Sequence, residues 1–313
     1  SYDIVIVAPA TRNTISKHIH GIMDSPIMMA LSAARGNKTP IVFVPSMHQD
    51  LFDDPVTTDL LEEITLEGNY YFVDSEKEGR RKQPSPAVIV SKLSNLVNSF
   101  LPNRRKVAIT LGATRAPIDS VRAIQNASSG KTGWAIAEHL FMNGHEVYCI
   151  AGKTSAQPTI ELPNIIRAGS PEEMLSESLS LAKSEVKPDV WIHSAAVLDY
   201  SMIPEKGKRP SGQDKWEIEL QPTLKHIPEL TDLVGDSIRI GFKLETGVSE
   251  EELIEKSLNQ ISKYGVDFVI ANILEQIGDQ NSPRARLVSN EGDVKVLQDE
   301  IDICLEIEKI ISE

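Results

Sequence analysis

Along the chain, short runs of consecutive apolar residues alternate with longer stretches in which apolar positions recur every three or four residues. A continuous β-branched run marks a parallel strand covered on both faces, and recurrence at three and four marks a helix with one buried stripe. Residues 4–7 (IVIV) and 41–44 (IVFV) read as two such strands, and 70–73 (YYFV) as a third. Between the first two, Ser25-Pro26 offers an N-cap and a first-turn proline, and Gly36 a stop. Residues 76–86 read as an exposed basic loop. Residues 87–100 read as an amphipathic helix with Val88, Val90, Leu93 and Leu96 near one face.

At residues 101–105 (LPNRR) the pattern breaks and a second series begins. It predicts strands at 107–110, 146–150, 190–194, 238–242 and 268–271, and helices at 130–143, 171–184 and 249–263. Strands alternating with helices imply a parallel sheet with crossover helices. Residues 214–221 (DKWEIELQ) alternate polar and apolar and predict a half-exposed strand. Residues 284–289 and 294–297 predict a hairpin around Glu291-Gly292, and a helix near 299–311 follows. The fold class is therefore α/β, in two domains at 1–104 and 105–313.

Composition narrows the function classes. Hydrophobic residues make up 41% of the chain, enough for packed cores. No apolar run approaches the roughly 18 residues of a membrane span, and no basic-then-apolar leader opens the sequence, so a cytoplasmic protein without a membrane partner is expected. Cys149 and Cys304 are too few and too far apart for a disulfide framework or a zinc site. A formal net charge of −13 disfavours nucleic acid as a partner. It leaves room for an anionic substrate held by local donors.

Candidate chemistry concentrates in residues 109–133, ITLGATRAPIDSVRAIQNASSGKTG. A strand ends, Gly112 permits a sharp turn, and Ser128-Ser129-Gly130-Lys131 opens a helix. Helix N-termini carry unpaired N–H groups and partial positive charge, so these residues read either as an anion cradle or as a plain N-cap. Arg122 adds either a bidentate anion contact or an ion pair with Asp119. The dinucleotide fingerprint G-x-G-x-x-G is absent, which disfavours a nicotinamide enzyme.

This segment resembles the opening of the phosphopantothenoylcysteine synthetase domain, the phosphopantothenate–cysteine ligase half of the bifunctional coenzyme A biosynthesis flavoprotein. It departs from the family pattern at Ala113 (a glycine there) and Ala116 (a glutamate). Further along, residues 193–200 (HSAAVLDY), 204–209 (PEKGKR), 241–246 (GFKLET), 267–272 (DFVIAN) and 278–281 (GDQN) resemble the family's remaining motifs, in order. The resemblance implies a Rossmann-like parallel sheet with flanking helices. It also implies a two-step reaction: 4′-phosphopantothenate attacks the α-phosphate of CTP, or of ATP in some members, and cysteine then displaces the nucleotide. Mg2+ is expected with the triphosphate, held mainly by phosphate oxygens and water.

Roles carry over by position. Asn126 matches the catalytic asparagine, and Lys206 the lysine of a mobile loop near the triphosphate, where Gly207 and Pro210 suggest a hinged lid. Gly112, Arg122, Ser128, Ser129, Gly130, Lys131, Ala195, Ala196, Asp199, Phe242 and Lys263 are the expected substrate and nucleotide contacts. Lys263 matches the second of two helical lysines, and Asn259 replaces the first, which implies either weaker triphosphate binding or a shift of that task to Lys256. Leu224-Lys225 departs where relatives frame the nucleobase, so CTP is the first expectation and ATP the second. The resemblance also implies a homodimer or larger oligomer.

Residues 1–104 resemble part of the FMN-dependent phosphopantothenoylcysteine decarboxylase, a partial flavodoxin-like α/β segment. Residues 9–14 (PATRNT) match its PASANT motif, giving Asn13 a substrate-carboxylate role. Val44-Pro45-Ser46-Met47-His48 matches its substrate clamp, giving Met47 and His48. The family's opening strand, flavin-phosphate turn and catalytic histidine precede the matched stretch, and no cysteine lies in 1–104. The segment thus reads as a trimmed or split decarboxylase or as a relic scaffold, with FMN undecided. His18 and His20 diverge on a helix and do not read as a metal pair. The readings at this stage are a ligase, a bifunctional enzyme also decarboxylating with FMN, a non-catalytic assembly subunit, or a nicotinamide oxidoreductase.

Overall fold

A computed structural model describes residues 2–74, 76–77, 79–212 and 215–313, and divides into two units, Ser1–Val97 and Asn98–Glu313.

The first unit runs β1 (Val5–Ala10), α1 (Arg12–Ile19), α2 (Pro26–Gly36), β2 (Ile41–Pro45), β3 (Met47–His48), α3 (Gln49–Phe52), α4 (Pro55–Leu66), β4 (Tyr70–Tyr71), β5 (Glu76–Lys77), β6 (Arg80–Arg81) and α5 (Pro86–Asn98). Strands β1, β2 and β4 form a parallel sheet in that order. Ser25 caps α2 and Pro26 opens it, as its sequence predicts. Ile15, Met28, Leu31, Leu60 and Ile64 from three helices bury Phe43 and Ile41 on one face of the sheet.

Three expectations are corrected here. The first strand is not covered on both faces: Val5 and Val7 join the core, but Ile6 is 39% exposed, because α1, α2 and α4 all lie on one side of this edge strand. The 76–86 stretch is not simply a loop. Its strands β5 and β6 pair antiparallel with each other, and β6 with β3. Arg81 is held by Gln49, by the carbonyl of Asp74 and by the face of Phe52. Glu78 lies outside the described residues. In α5 it is Ile89 and Ser91 that are buried, and Val90 is exposed. The buried arc runs from Ile89 to Ser91 on either side of half-buried Val88, and Val90 lies about 200° from Val88, outside it.

The second unit runs β7 (Lys106–Leu111), β8 (Arg115–Pro117), β9 (Ala123–Gln125), α6 (Lys131–Met142), β10 (Glu146–Ala151), β11 (Asn164–Arg167), α7 (Pro171–Lys183), β12 (Val190–His193), β13 (Tyr200–Ser201), β14 (Gln221–Pro222), α8 (His226–Val234), β15 (Ile238–Glu245), α9 (Glu250–Tyr264), β16 (Phe268–Ile273), β17 (Ala285–Ser289), β18 (Val294–Leu297) and α10 (Glu300–Ser312). One sheet takes the order β11-β10-β7-β12-β15-β16-β17-β18, parallel through β16 and antiparallel in the final hairpin. The period of two explains the layering. Val107, Ile109 and Leu111 meet Trp134, Leu140, Ile303 and Ile307 of α6 and α10. Ala108 and Trp191 face Met174 of α7 and Leu230 of α8 on the other side. Capping boxes at Ser170/Glu173 and Ser249/Glu252 start α7 and α9.

The predicted strand at 214–221 shrinks to Gln221–Pro222, paired with Tyr200–Ser201; Asp214 lies outside the described residues. Its partner is only two residues long, so the alternating pattern has nothing further to pair with. The two ends of this unit meet. Asn103 Nδ2 donates to the Ser312 carbonyl at 2.9 Å and Arg105 Nε to the Ile311 carbonyl at 3.0 Å. Arg104 and His145 both contact Glu308.

Candidate functional site

From β7 the chain passes through α6 to β10 and β11 on one side; β12, β15 and β16 fill the other side. The carboxyl ends of β7 and β12 therefore flank a switch point, where crossover helices diverge and leave a crevice. Thr110 pairs with His193 and His193 with Gly241, so Gly112, Ala195, Ala196 and Phe242 all fall at this edge.

Glycine sets the close approach there. Gly112 and Gly130 have φ of 79° and 80°, a left-handed conformation that side chains resist. A Cβ at either would come within 2.6 Å or 2.5 Å of Thr154 Cγ2, and Gly130's also within 3.4 Å of Gly112 Cα. A Cβ at Gly133 would lie 2.5 Å from Leu111 Cβ. The missing side chains thus let α6 seat its first turn on the strand end.

Gly130 is the N-cap of α6 and has no side chain to close the helix end. Ser129 Oγ accepts from Lys131 N at 3.3 Å. Lys131 is largely exposed and lies 3.3 Å from Glu300. The first turn, with its positive dipole end, opens toward the switch point.

Ala113 and Ala116 fit their places. Ala113 exchanges backbone hydrogen bonds with Lys153 at 3.0 and 2.7 Å, and is fully buried in a conformation open to any residue. Ala116 is buried in β8. The next turn is tied to β12's exit: Thr114 N donates to the Ala196 carbonyl at 3.1 Å, and Asn126 Nδ2 donates to the same carbonyl at 3.1 Å. Asn126 is therefore oriented by Ala196, with its second amide hydrogen and its Oδ1 left for other partners.

Arg122 is engaged: Nη1 donates to Asp119 at 2.6 Å, Nη2 to the Arg209 carbonyl at 3.2 Å, and its guanidinium lies 5.2 Å from the Trp216 ring. Asp119 has no exposed side-chain surface. Burial pushes its pKa up, but N–H donors from Val121, Arg122 and Arg209 and the Arg122 charge outweigh that and hold it below the ordinary carboxylate value.

The loop carrying Lys206 reaches the same turn. Glu205 N donates to the Ile118 carbonyl at 2.8 Å, and Ser120 N to the Gly207 carbonyl at 3.1 Å, with exposed Lys206 between them. Asp199 follows β12 and forms an exposed ion pair with Lys225. Glu245 lies between Lys243 and Lys256; the Lys256 hydrogen bond, with help from Lys243, holds its carboxyl below the usual range.

Lys263 is not brought to this edge. It lies in the last turn of α9, which leaves β15 at the carboxyl edge and returns to β16 at the opposite one. Its 15 residues span roughly 20 Å. Sequence reasoning passed over Asp119 as more than an ion-pair partner, and passed over Trp216 and Thr154. The Asp-Ser-Val-Arg order is an Asx-turn signal, and an aromatic in a charged stretch was the available clue to Trp216.

In the first unit, Asn13, Met47 and His48 follow the carboxyl ends of neighbouring strands, where Ser46 N donates to the Ala10 carbonyl at 3.0 Å. Asn13 and His48 are exposed; Met47 and His48 pair with Arg81 and Arg80. His18 is buried against Phe43 and contacts Glu67, and His20 bonds the Ser16 carbonyl. Among the described residues no group of three His, Cys, Asp or Glu is placed to hold a metal ion, and no helix is long and apolar enough to cross a membrane.

With that geometry in hand, comparison with known proteins is specific. Residues 103–302 match the family model described as DNA/pantothenate metabolism flavoprotein C-terminal domain, and residues 1–98 one described as flavoprotein. The coenzyme A biosynthesis bifunctional protein CoaBC of Thermococcus kodakarensis is 37% identical over 280 residues, covering 90% of this chain and 68% of the relative. The protein of that name from Methanocaldococcus jannaschii is 31% identical over 277 residues, covering 88% and 66%. The chain thus spans about two thirds of the length of these relatives. The crystal structure of the DNA/pantothenate metabolism flavoprotein from Streptococcus pneumoniae superposes with a TM-score of 0.57 at 27% identity, covering 66% of this chain and 98% of that one.

Proposed function

The chain belongs to the DNA/pantothenate metabolism flavoprotein family, and from that premise we propose that its second unit is a nucleoside-triphosphate-dependent ligase of coenzyme A biosynthesis, joining 4′-phosphopantothenate to cysteine. The observation that carries the reading is the Gly112–Gly130–Thr154 contact, which seats a helix N-terminus with a glycine N-cap at the sheet's switch point beside Asn126. A carboxylate is a poor acyl donor, so it must be activated before an amine can displace anything from it. In the first step the phosphopantothenate carboxylate attacks the nucleotide α-phosphate and pyrophosphate leaves. In the second the cysteine amine attacks the acyl carbonyl and the nucleoside monophosphate leaves.

The protein's part is positioning and charge stabilisation. The first turn of α6, with Ser128, Ser129 and Lys131, holds phosphate oxygens through N–H groups and the helix dipole. Asn126, braced by the Ala196 carbonyl, donates its remaining amide hydrogen to the acyl oxygen as charge develops. Lys206 approaches the triphosphate from its loop, and Arg122 the phosphate of the acid substrate. Asp199 and Phe242 line the nucleoside side. CTP is the proposed nucleotide and ATP the alternative, with Mg2+ carried by the triphosphate. Lys263 enters a site only if a second copy presents it, in keeping with a homodimer.

No decarboxylation step is assigned to the first unit. Beside the end of β1, Thr11 Oγ1 accepts from Thr14 N and keeps its own hydrogen to donate, and Arg12 is paired with Asp54 at 2.6 Å.

The test is a panel of CTP, ATP, GTP and UTP with phosphopantothenate, cysteine and Mg2+, read by pyrophosphate release and product mass. CTP is expected to give the fastest turnover. No turnover with any of the four removes the ligase reading.

A further inference from the structure

Trp216 ties together residues that lie far apart in the chain. Its ring is flanked by two guanidinium groups, Arg209 at 4.8 Å and Arg122 at 5.2 Å from the centroid. Its Nε1 donates to Glu205 Oε1 at 3.2 Å, and Arg209 Nη1 meets the same oxygen at 3.3 Å. Arg209 N donates to buried Asp119 at 3.2 Å, the carboxylate that also receives Arg122 Nη1. The Arg209–Asp119 bond joins the 205–209 loop to the 118–122 turn, Trp216 touches both, and the Glu205–Arg209 and Asp119–Arg122 pairs brace each side. Lys206 lies between the two backbone hydrogen bonds that complete the junction.

A lysine on a Gly- and Pro-bearing loop has many conformations to lose before it can hold a triphosphate, and ordering the loop in advance removes that cost. We propose that Trp216 is a positioning residue for the ligation: it clasps the Lys206 loop onto the Asp119 turn, and Arg122 is the side chain shared between clasp and substrate. Trp216 touches no reacting atom. It sets how often the loop is in place. Arg122 bonding a substrate phosphate would draw on the same guanidinium that supports the ring, so substrate binding and loop position are coupled.

This inference rests on the ligase reading, and its test keeps the two apart. Trp216→Ala and Trp216→Phe are compared with the wild-type full chain in two measurements. The first is tryptic cleavage after Lys206 and Lys208 in the free protein. The second is KM and kcat with CTP. Two cation–π contacts predict that Trp216→Ala raises the open-to-closed ratio of the loop about five- to thirtyfold, so that cleavage and KM for CTP both rise, their fold-changes multiplying to that factor, with kcat changed less. Trp216→Phe keeps a ring against the guanidiniums and should recover most of both. A purely structural role would lower melting temperature without a loop-specific cleavage site or a KM effect. Wild-type cleavage in Trp216→Ala, or raised cleavage with unchanged KM and kcat, overturns the clasp. Absent wild-type turnover sinks the ligase reading and the clasp's catalytic role with it, whereas active wild type with indifferent Trp216→Ala sinks the clasp alone.

Discussion

Substituting Gly130 by alanine tests the geometry on which the site is built. The backbone there has φ of 80°, and leaving it left-handed costs an L-residue about 1–2 kcal/mol. The new Cβ would lie 2.5 Å from Thr154 Cγ2 and 3.2 Å from Thr154 Cβ. The Gly112 Cα stands behind at 3.4 Å, so the neighbours have little room to retreat. Overpacking of that kind adds about 1–3 kcal/mol. The expected destabilisation is therefore about 2–5 kcal/mol, measured by denaturant unfolding followed through the buried Trp134 and Trp191, both in this unit. The two contributions separate in a double-mutant cycle. Thr154→Ala removes Cγ2 but leaves the φ penalty, so the double variant should recover about 1–2 kcal/mol of the clash and none of the backbone strain. A Gly130→Ala loss under about 1 kcal/mol, or no recovery from Thr154→Ala, would refute the claim that these residues interlock.

Asn126→Ala is expected to lower kcat at least about tenfold, or about 1.4 kcal/mol in the barrier, with the fold intact by circular dichroism; an unchanged rate assigns Asn126 to structure alone. His193 is held neutral in the fold, its pKa pushed down from 6.5 to about 3 by burial and then by His226 and Arg239, and burial also lowers His226. The unfolded chain takes up protons that the fold refuses below pH 6.5, so stability should fall with acidification toward pH 3, each group adding a slope of up to about 1.4 kcal/mol per pH unit. Denaturation across that range should show a shallower slope in His193→Leu; an identical slope would mean that His193 titrates alike in both states. Burial pushes Cys149 and Cys304 up to about 12, so iodoacetamide should label neither in the native protein and both after unfolding, as read by intact mass.

Much of the second unit is legible in its sequence because its strands are β-branched runs and its helices carry caps that local chemistry dictates. Residues 107–110 and 190–194 announce central strands, and Ser170 and Ser249 cap the predicted helices α7 and α9. What escaped depends on partners distant in sequence. Strand β11, with the residues Asn164 to Arg167, is too short and too half-exposed to stand out. Helix α8 is masked by Pro228 in its first turn. Ile6 has the residue type of a doubly covered strand, and only the placement of three helices on one side exposes it. In the candidate site the family motif marks Asn126 and the Ser128–Lys131 turn. The distance of Lys263 from them follows from the length and direction of α9, which a motif does not carry. The Asp119–Trp216 junction bridges nearly a hundred residues and has no local signature beyond a single turn.

The hydrogen bonds from Asn103 and Arg105 to the last turn of α10 have a consequence for how this unit can be handled. Its entry and exit points are neighbours in space, as in domains that tolerate insertion and permutation. A host protein would need only a narrow gap in one surface loop to accept it. Equally, a short peptide joining residue 312 to residue 103 should yield a circular permutant that can be reopened far from the crevice, at the Glu291-Gly292 hairpin tip.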